Sequence, residues 1–252
     1  MSFVEQIIQA LAFPFKDPQW AKKLGIGFLL GLGSSIVPLL PALILSGYCY
    51  RVMRRVIVEG GEPYLPEWED WSNLLSDGLI LWGAGMLYSL PILVLVVPAL
   101  IIFLISGFSL PFLIDPSGGM PQDSGMLVLA PFLLGAGILC LATPLGLAIS
   151  LVKSPGMGHL VAKGEFSAAF RIRETWPILK AGIGPFLIIV LANWLMGFLF
   201  TMVLQVLIST LILILLYPVL FGLELFLVTL YNYSFEALAY REAQRRLAGA
   251  AS

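Results

Sequence analysis

Three long stretches without a single charged side chain constrain the fold of this chain more than any other feature. Residues 78–114, 124–152 and 181–223 contain no Asp, Glu, Lys or Arg. Each stretch exceeds the roughly 20 apolar residues that a helix needs to cross a bilayer. Of all 252 residues, 12% are charged, whereas a soluble domain carries about 25%. The sequence therefore predicts an all-α, polytopic membrane helical bundle.

Composition also excludes several classes of site and partner. The two cysteines, Cys49 and Cys140, lie in apolar surroundings, which argues against a disulfide framework or a Cys-x-x-Cys metal site. The formal net charge of −1 predicts no nucleic-acid partner. We expect no cofactor and no metal ion. We also expect no cleavable signal peptide, because the N-terminus has an early acid, two prolines and no basic n-region.

The positions of Lys and Arg predict which helix ends face the cytoplasm. These residues cluster around positions 16–23, 51–55, 153–180 and 241–246, whereas the loop at 115–125 has two aspartates and no base. Cytoplasmic loops are enriched in Lys and Arg, so the four clusters should be cytoplasmic and the loop external. Both termini are then cytoplasmic, in a multi-pass protein of the cell inner membrane.

With this orientation, the number of crossings between basic clusters is even, and about six spans in three hairpin-like units are predicted. Residues 78–107 and 126–152 form one hairpin around the external loop. Residues 181–231 form another, which turns near residues 201–209.

Residues 24–50 are too few for two full crossings at about 1.5 Å per residue, although both flanks are basic. We favour a short or re-entrant hairpin broken at Pro38 and Pro41, whose second helix continues to about residue 58. The competing hypothesis is one long tilted span, which would violate the charge rule at one flank.

A short internal pattern supports the division into units. Lys-Leu-Gly-Ile-Gly at 23–27 recurs as Lys-Ala-Gly-Ile-Gly at 180–184, each after a tryptophan, with a looser copy at 71–78. We expect one integral membrane domain over 1–252. Its units are 1–60 with an interfacial helix and the first hairpin, 61–165 with the second hairpin, and 166–252 with the third hairpin and a cytoplasmic helix end.

Each unit should include an amphipathic helix on the cytoplasmic side. Phe3, Ile7 and Leu11 follow a helical period, and residues 68–75 and 166–176 repeat the design. Such helices lie flat in the headgroup layer with the apolar face inward.

The most polar passage, GEPYLPEWEDW at residues 61–71, raises the question whether its acids are catalytic. At a helix start, the dipole favours negative charge. On such a helix Glu67, Glu69 and Asp70 point away from the tryptophans, toward water or toward the arginines at 51–55. We therefore favour a solvated helix start with local salt bridges over a partner-docking surface, and both over catalysis or metal binding.

A longer run around this passage resembles a known family. GYCYRVMRRVIVEGGEPYLPEWEDWSNLLSDGL, residues 47–79, combines an Arg-rich helix end, a short Gly-Pro turn, an acidic-aromatic segment and a glycine-led span. In these features the chain resembles the membrane-protein family known as domain of unknown function 4013, and more loosely over most of its length. The resemblance implies a bacterial or archaeal polytopic membrane protein. It implies no activity and no functional residue.

Glu224 is the one ionisable residue well inside a predicted span. A carboxylate there is costly and is a functional candidate by default. It either contacts a proton or substrate, or it is paired structurally, for example with Lys180 or with backbone near Pro218. A polar seam accompanies it in the last hairpin, formed by Asn193, Thr201, Gln205, Ser209 and Thr210. Interhelical hydrogen bonds are the favoured role of the seam, and the lining of a ligand path is the alternative.

Small and polar residues add two further expectations. The Gly27-xxx-Gly31 spacing predicts close helix packing. His159 is the only histidine of the sequence, which excludes a His-Glu-x-x-His metalloprotease, and we expect it to be solvated at the interface. No Walker or Rossmann glycine pattern is present, and no enzymatic activity is expected.

Two functions of different classes remain. The first is a structural or accessory subunit that scaffolds or regulates a membrane complex. Its partners would be lipids and other membrane proteins, through a cytoplasmic docking surface formed by Arg51, Arg54, Arg55, Glu67, Trp68 and Trp71, and through the bases at 241–246. The alternative is a transporter or lipid-handling protein that uses the polar seam around Glu224.

Overall fold

A computed structural model of the protein describes residues 3–37, 39–113, 124–209 and 217–251. Within these residues the chain forms α-helices, two short 3-10 helices and no β-strand, which confirms the all-α prediction for this part of the chain. In chain order the helices are α1 (Phe3–Leu11), a 3-10 helix (Phe13–Lys16), α2 (Trp20–Gly33), α3 (Leu39–Ile57), α4 (Trp71–Leu113), α5 (Ser124–Lys163), a 3-10 helix (Phe166–Phe170), α6 (Ile172–Ala181), α7 (Ile183–Ser209) and α8 (Tyr217–Ala251).

Four of the described helices, α4, α5, α7 and α8, are long and apolar enough to cross a membrane. This indicates a multi-pass membrane protein. The predicted count of six spans is not confirmed. Helix α2 has 14 residues, and α3 has 19 residues but carries three arginines in its second half, whereas a span needs about 20 apolar residues.

The chain between residues 24 and 50 forms two helices rather than one long helix. Helix α2 ends at Gly33, residues 34–37 turn, and α3 begins at Leu39 with Pro41 in its first turn. Proline is tolerated there because the first amides of a helix have no intrahelical acceptor. Helix α3 ends at Ile57, close to the predicted end. Pro38 itself lies outside the described residues.

Helix α4 begins at Trp71 and continues without interruption through the predicted membrane entry at Gly78. The separate amphipathic helix predicted at residues 68–75 is therefore wrong. Residues 58–70, the connector, are not helical, and Asp70 at the end of the connector has a positive φ of 53°. Prolines at positions 63 and 66 explain why the connector is not helical, because they lack the amide hydrogens that a helix requires.

Two predicted turns fall partly or wholly beyond the described residues. Of the external loop predicted at residues 115–125, residues 115–123 lie outside them, and residues 124–125 belong to α5. The turn of the last hairpin does not lie at 201–209 as predicted, because α7 stays helical to Ser209, and residues 210–216 are again outside.

The contacts of the chain group into two compact units, Met1–Gly85 with Leu151–Ser252, and Met86–Ser150. The second unit consists of the adjoining parts of α4 and α5. Within it, the Phe103 and Phe132 rings lie 4.8 Å apart between centroids. A Cβ added to Gly135 would lie 3.1 Å from the Ala99 carbonyl oxygen, so the two helices are in close contact there.

Helix α8 is the centre of the first unit and contacts α1, α2, α3, α6 and α7. The predicted packing role of Gly27 and Gly31 is confirmed. A Cβ at Gly27 would overlap the Phe226 ring, and one at Gly31 would overlap the carbonyl of Gly222, both on α8. The apolar faces of α2 and α8 therefore approach almost to backbone contact.

Three bases from different helices hold the connector through its backbone. Lys23 of α2 donates to the carbonyl oxygen of Leu65 at 2.9 Å. Arg51 of α3 donates to Glu69 at 3.0 Å, and Arg241 of α8 donates to Gly61 at 2.6 Å. The basic ends of α3 and α8 and the start of α2 thus meet at one side of this unit.

Candidate functional site

A cavity of about 230 Å³ lies among α3, α4, α5 and α8 in the first unit. We call it the charged cavity because an acid and a base both line it. Its polar lining consists of Ser46, Lys153, Thr229, Asn232, Tyr233 and Glu236, and its apolar lining includes Leu45, Trp82 and Leu225.

Helix α8 supplies most of the polar lining through its helical period. Thr229, Asn232, Tyr233 and Glu236 occur at spacings of three, four and seven residues, which places them on one face of a helix. This polar stripe is the signal in the sequence that could have revealed the site, but it lies among aromatic residues near the helix end.

Glu236 is the most unusual residue of the charged cavity. Its side chain is buried, with 4% of the residue exposed. One carboxylate oxygen, Oε1, accepts a hydrogen bond from the Ser154 hydroxyl at 3.2 Å. The other, Oε2, has no hydrogen-bond partner. Buried polar atoms are nearly always paired, so this oxygen is a site where a donor from a ligand would be stabilised.

Lys153 is the base of this cavity. Its ammonium group lies 5.8 Å from the centre of the Tyr233 ring, in a cation–π contact. No ion pair joins it to Glu236 among the described residues, although both side chains line the cavity. The cavity therefore offers Glu236 to a cationic or hydrogen-bond-donating part of a ligand, and Lys153 to an anionic or accepting part.

Asn193, one of the predicted intramembrane polar residues, contacts a lining residue of this cavity. Its side-chain amide on α7 donates to the side-chain oxygen of Asn232, which lines the cavity. The Asn193 Oδ1 atom is buried and has no hydrogen-bond partner. The predicted interhelical role of Asn193 is consistent with this contact.

Glu224 does not line the charged cavity. It is half-buried on α8, about 18 Å before Glu236 along the helix at about 1.5 Å per residue. The suggested pairing with Lys180 is not formed. The Lys180 ammonium group lies 5.5 Å from the centre of the Trp176 ring instead.

The remaining seam residues that the structure describes are exposed. Thr201 and Gln205 are exposed on α7. The Thr201 hydroxyl donates to the Gly197 carbonyl of its own helix at 2.8 Å, and Ser209 likewise donates to Val206. Thr210 lies outside the described residues. The structure therefore does not bring these side chains to Glu224.

Trp68, assigned to the cytoplasmic docking surface, is buried instead. Its indole nitrogen donates to the Lys23 carbonyl at 2.9 Å, and its ring stacks on Tyr48 with centroids 4.0 Å apart. Trp71 follows it with 47% of the residue exposed. The stacked indole anchors the connector and is not available to a partner.

Three of the four charged residues of that surface also make contacts within the chain. Glu67 forms an ion pair of 2.6 Å with Lys23, rather than with the neighbouring arginines as predicted. Arg55 pairs with Glu59 at 2.5 Å. Arg54 is exposed, while Arg51 donates to the connector backbone.

His159 was expected to be solvated, and this is wrong. It is buried on α5, with 5% exposed, and its two ring nitrogens each lie 2.8 Å from a partner, the Tyr240 hydroxyl and the Glu174 carboxylate. The hydrogen bond from His159, together with the nearby charge of Arg171, holds the pKa of Glu174 below its usual value. This network joins α5, α6 and α8.

Among the residues that the structure describes, no group of three His, Cys, Asp or Glu side chains could hold a metal ion.

Comparison with curated proteins and with solved structures gives no match. A family model described as protein of unknown function (DUF4013) matches residues 30–209, more than half of the chain. The α8 wall of the charged cavity lies beyond the matched residues. The expectation drawn from residues 47–79 is confirmed, and the chain belongs to the DUF4013 family.

Proposed function

We propose that this protein is a membrane transporter or lipid-handling protein without enzymatic activity, and that the charged cavity binds the polar part of its ligand. The observation that carries the proposal is the buried Glu236 oxygen without a partner, in a cavity that Lys153 also lines. This replaces the predicted seam around Glu224 by a site three helical turns further along α8.

The energetics favour occupancy by a ligand. A buried acceptor without a hydrogen bond costs about 1–3 kcal/mol, which a ligand donor at Glu236 would recover. Lys153 offers a second charged contact, and Leu45, Leu225 and Trp82 offer apolar walls. A zwitterionic group, with its cation toward Glu236 and its anion toward Lys153, fits this lining best.

The scaffold hypothesis has less support than this. Three of the six residues of its proposed docking surface at 51–71, Trp68, Glu67 and Arg51, make contacts within the chain. A complex partner would have to bind through the members that stay exposed without a hydrogen bond or ion pair in the described chain, such as Arg54 and Arg245.

For the orientation, we propose that the connector side of the first unit is cytoplasmic and that both termini lie on that side. The basic residues Lys23, Arg51 and Arg241 all contact the connector, as expected of a positively charged cytoplasmic face.

The experiment is affinity purification in mild detergent, followed by mass spectrometry of the small molecules and lipids that co-purify. Glu236→Gln replaces the carboxyl group by an amide with little change in shape, and we expect at least tenfold less of the bound molecule than in the wild type. Glu242→Gln is the control, because Glu242 lies on the same helix but pairs with Arg246 outside the cavity. Equal recovery from all three proteins contradicts the proposal.

A second measurement does not depend on recovering the ligand. Thr229 lines the cavity, whereas Leu230 is fully buried. Each is replaced by cysteine in a Cys140→Ser background. A small cationic thiol reagent should modify the cysteine at 229 at least tenfold faster than the one at 230. Equal and slow modification would show that the cavity is closed to solutes.

A further inference from the structure

A second cavity of about 230 Å³ lies where α1 and the following 3-10 helix meet the end of α8 and the connector. We call it the basic pocket. Its polar lining is formed by Gln6, Gln9, Lys16, Glu62, Arg241 and Arg245. Nothing in the proposed function uses this pocket, and it shares no lining residue with the charged cavity.

The charges of the basic pocket are unbalanced toward positive. Three bases line it against the one carboxylate of Glu62. Lys16 and Arg245 are exposed and form no ion pair with the described residues. The next arginine, Arg246, differs, because it pairs with Glu242 at 2.9 Å. Two of the three cations are therefore free to meet an anion.

Arg241 is held in place for such a contact. One guanidinium nitrogen, Nη1, donates to the carbonyl oxygens of Gly61 at 2.6 Å and Gly60 at 3.3 Å. A guanidinium group has five donor hydrogens, so Nε and Nη2 remain for a ligand. Because one edge of the guanidinium group is fixed on the connector, less side-chain entropy is lost when its other edge binds a ligand.

This donor set suits an oxyanion with several oxygen atoms. Arginine and lysine together bind phosphate through charge-assisted hydrogen bonds, and arginine adds a planar fork that matches two oxygens. The side-chain amides of Gln6 and Gln9 add neutral donors. A carboxylate ligand would use fewer of these donors than a phosphate group.

The surroundings place the pocket beside a membrane surface. Phe3, Ile7 and Ala10 of α1 are buried, and Tyr231 of α8 donates to the Leu11 carbonyl at 2.9 Å. The adjacent face of α1 exposes Val4, Ile8 and Leu11, and the 3-10 helix exposes Phe15. Exposed apolar residues on a short surface helix are typical of the headgroup layer.

From this charge, donor geometry and position we infer that the basic pocket binds a phosphate group. The phosphate of an anionic phospholipid and free phosphate share this chemistry. The inference is independent of the proposed function, since loss of ligand from the charged cavity would leave it intact.

The test uses the full-length protein with two probes, phosphatidylglycerol against phosphatidylcholine in native mass spectrometry, and inorganic phosphate in thermal unfolding. The variant is Lys16→Gln with Arg245→Gln, two exposed positions whose change leaves the buried core unaltered. The control is Arg246→Gln, which removes one positive charge at the neighbouring position, outside the pocket lining. We expect wild type and control to prefer phosphatidylglycerol at least tenfold, and the double variant to lose this preference.

Each outcome of these measurements supports or contradicts the binding of a phosphate group in the basic pocket. Selective retention of phosphatidylglycerol identifies a lipid headgroup, and stabilisation by inorganic phosphate that the double variant lacks identifies a free phosphate. An equal loss in Arg246→Gln would show a general effect of surface charge and overturn the assignment. Failure of both probes to bind the wild type would overturn it as well.

Discussion

At the residue scale, Lys23 stabilises the junction between α2 and the connector. It is buried, with 5% of the residue exposed, and its ammonium group forms ion pairs with Asp17 at 2.7 Å and Glu67 at 2.6 Å. Burial disfavours its charged form, but the hydrogen bonds to the two carboxylates outweigh burial and raise its pKa above the usual value. The hydrogen bond from Lys23 likewise lowers the pKa of Asp17.

Replacing Lys23 by methionine should destabilise the protein by about 2 kcal/mol. Breaking a buried ion pair costs about 3–5 kcal/mol, and the partial exposure of Glu67 reduces this value. Thermal unfolding of the purified protein measures the effect. Lys22→Met is the control, because Lys22 is exposed on the same turn, and it should change stability by less than about 0.5 kcal/mol. Equal effects of both substitutions would contradict the role of Lys23.

The same pair of proteins should reveal the pH dependence of this junction. The contribution of Lys23, whose pKa is raised from 10.5, is complete below that pH and is lost as pH rises through the raised value. The contribution of Asp17, whose pKa is lowered from 3.8, is complete above that pH and is lost as pH falls through the lowered value. The difference in Tm between wild type and Lys23→Met should therefore stay constant around neutrality and shrink at both extremes.

At the element scale, the contact between α2 and α8 depends on glycine. Helices that approach this closely leave no room for a side chain, and at Gly31 the obstacle is the backbone of Gly222, which cannot rotate away. Gly25, on the same helix, has no atom within 4 Å of the position of an added Cβ. The two glycines of one helix thus have opposite environments.

This contrast predicts opposite effects of the same substitution. Gly31→Ala should destabilise the protein by about 1–3 kcal/mol, because overpacking forces the helices apart. Gly25→Ala should be neutral or should stabilise by up to about 1 kcal/mol, because alanine has the higher helix propensity. Thermal unfolding of both variants checks the prediction. A stable Gly31→Ala protein would show that α2 and α8 do not meet at this point.

At the scale of the whole molecule, the orientation in the membrane remains a prediction. In a Cys140→Ser background, Asn73→Cys lies at the start of α4, where the side chain is exposed, and Ser117→Cys lies in the aspartate loop. A membrane-impermeant thiol reagent applied to intact cells should label the cysteine at 117 and spare the one at 73. Inverted membrane vesicles should give the reverse pattern. Labelling at 73 in intact cells would contradict the proposed orientation and the cytoplasmic assignment of the basic ends.

Much of the helical layout could be predicted, because the membrane requires it. In lipid, uncharged stretches of this length can form the hydrogen bonds of their backbone amides and carbonyls only within helices. The helices α4, α5, α7 and α8 therefore follow from composition. The break between α2 and α3 follows from two nearby prolines, and the close approach at Gly31 from small-residue spacing. These signals are local, and each acts within a few residues.

Only the tertiary structure decided which polar side chains act together. Lys23 meets Leu65 and Glu67, and His159 meets Tyr240, across 42 to 81 residues of sequence, so no local pattern could pair them. The same is true of Glu236, since the burial of a carboxylate depends on what α3 and α5 place around it. Thus the sequence by itself determined a multi-pass helical membrane protein of the DUF4013 family. The assembly of its helices decided where a charge is buried and where a cavity remains, because burial and pairing are properties of the packed bundle.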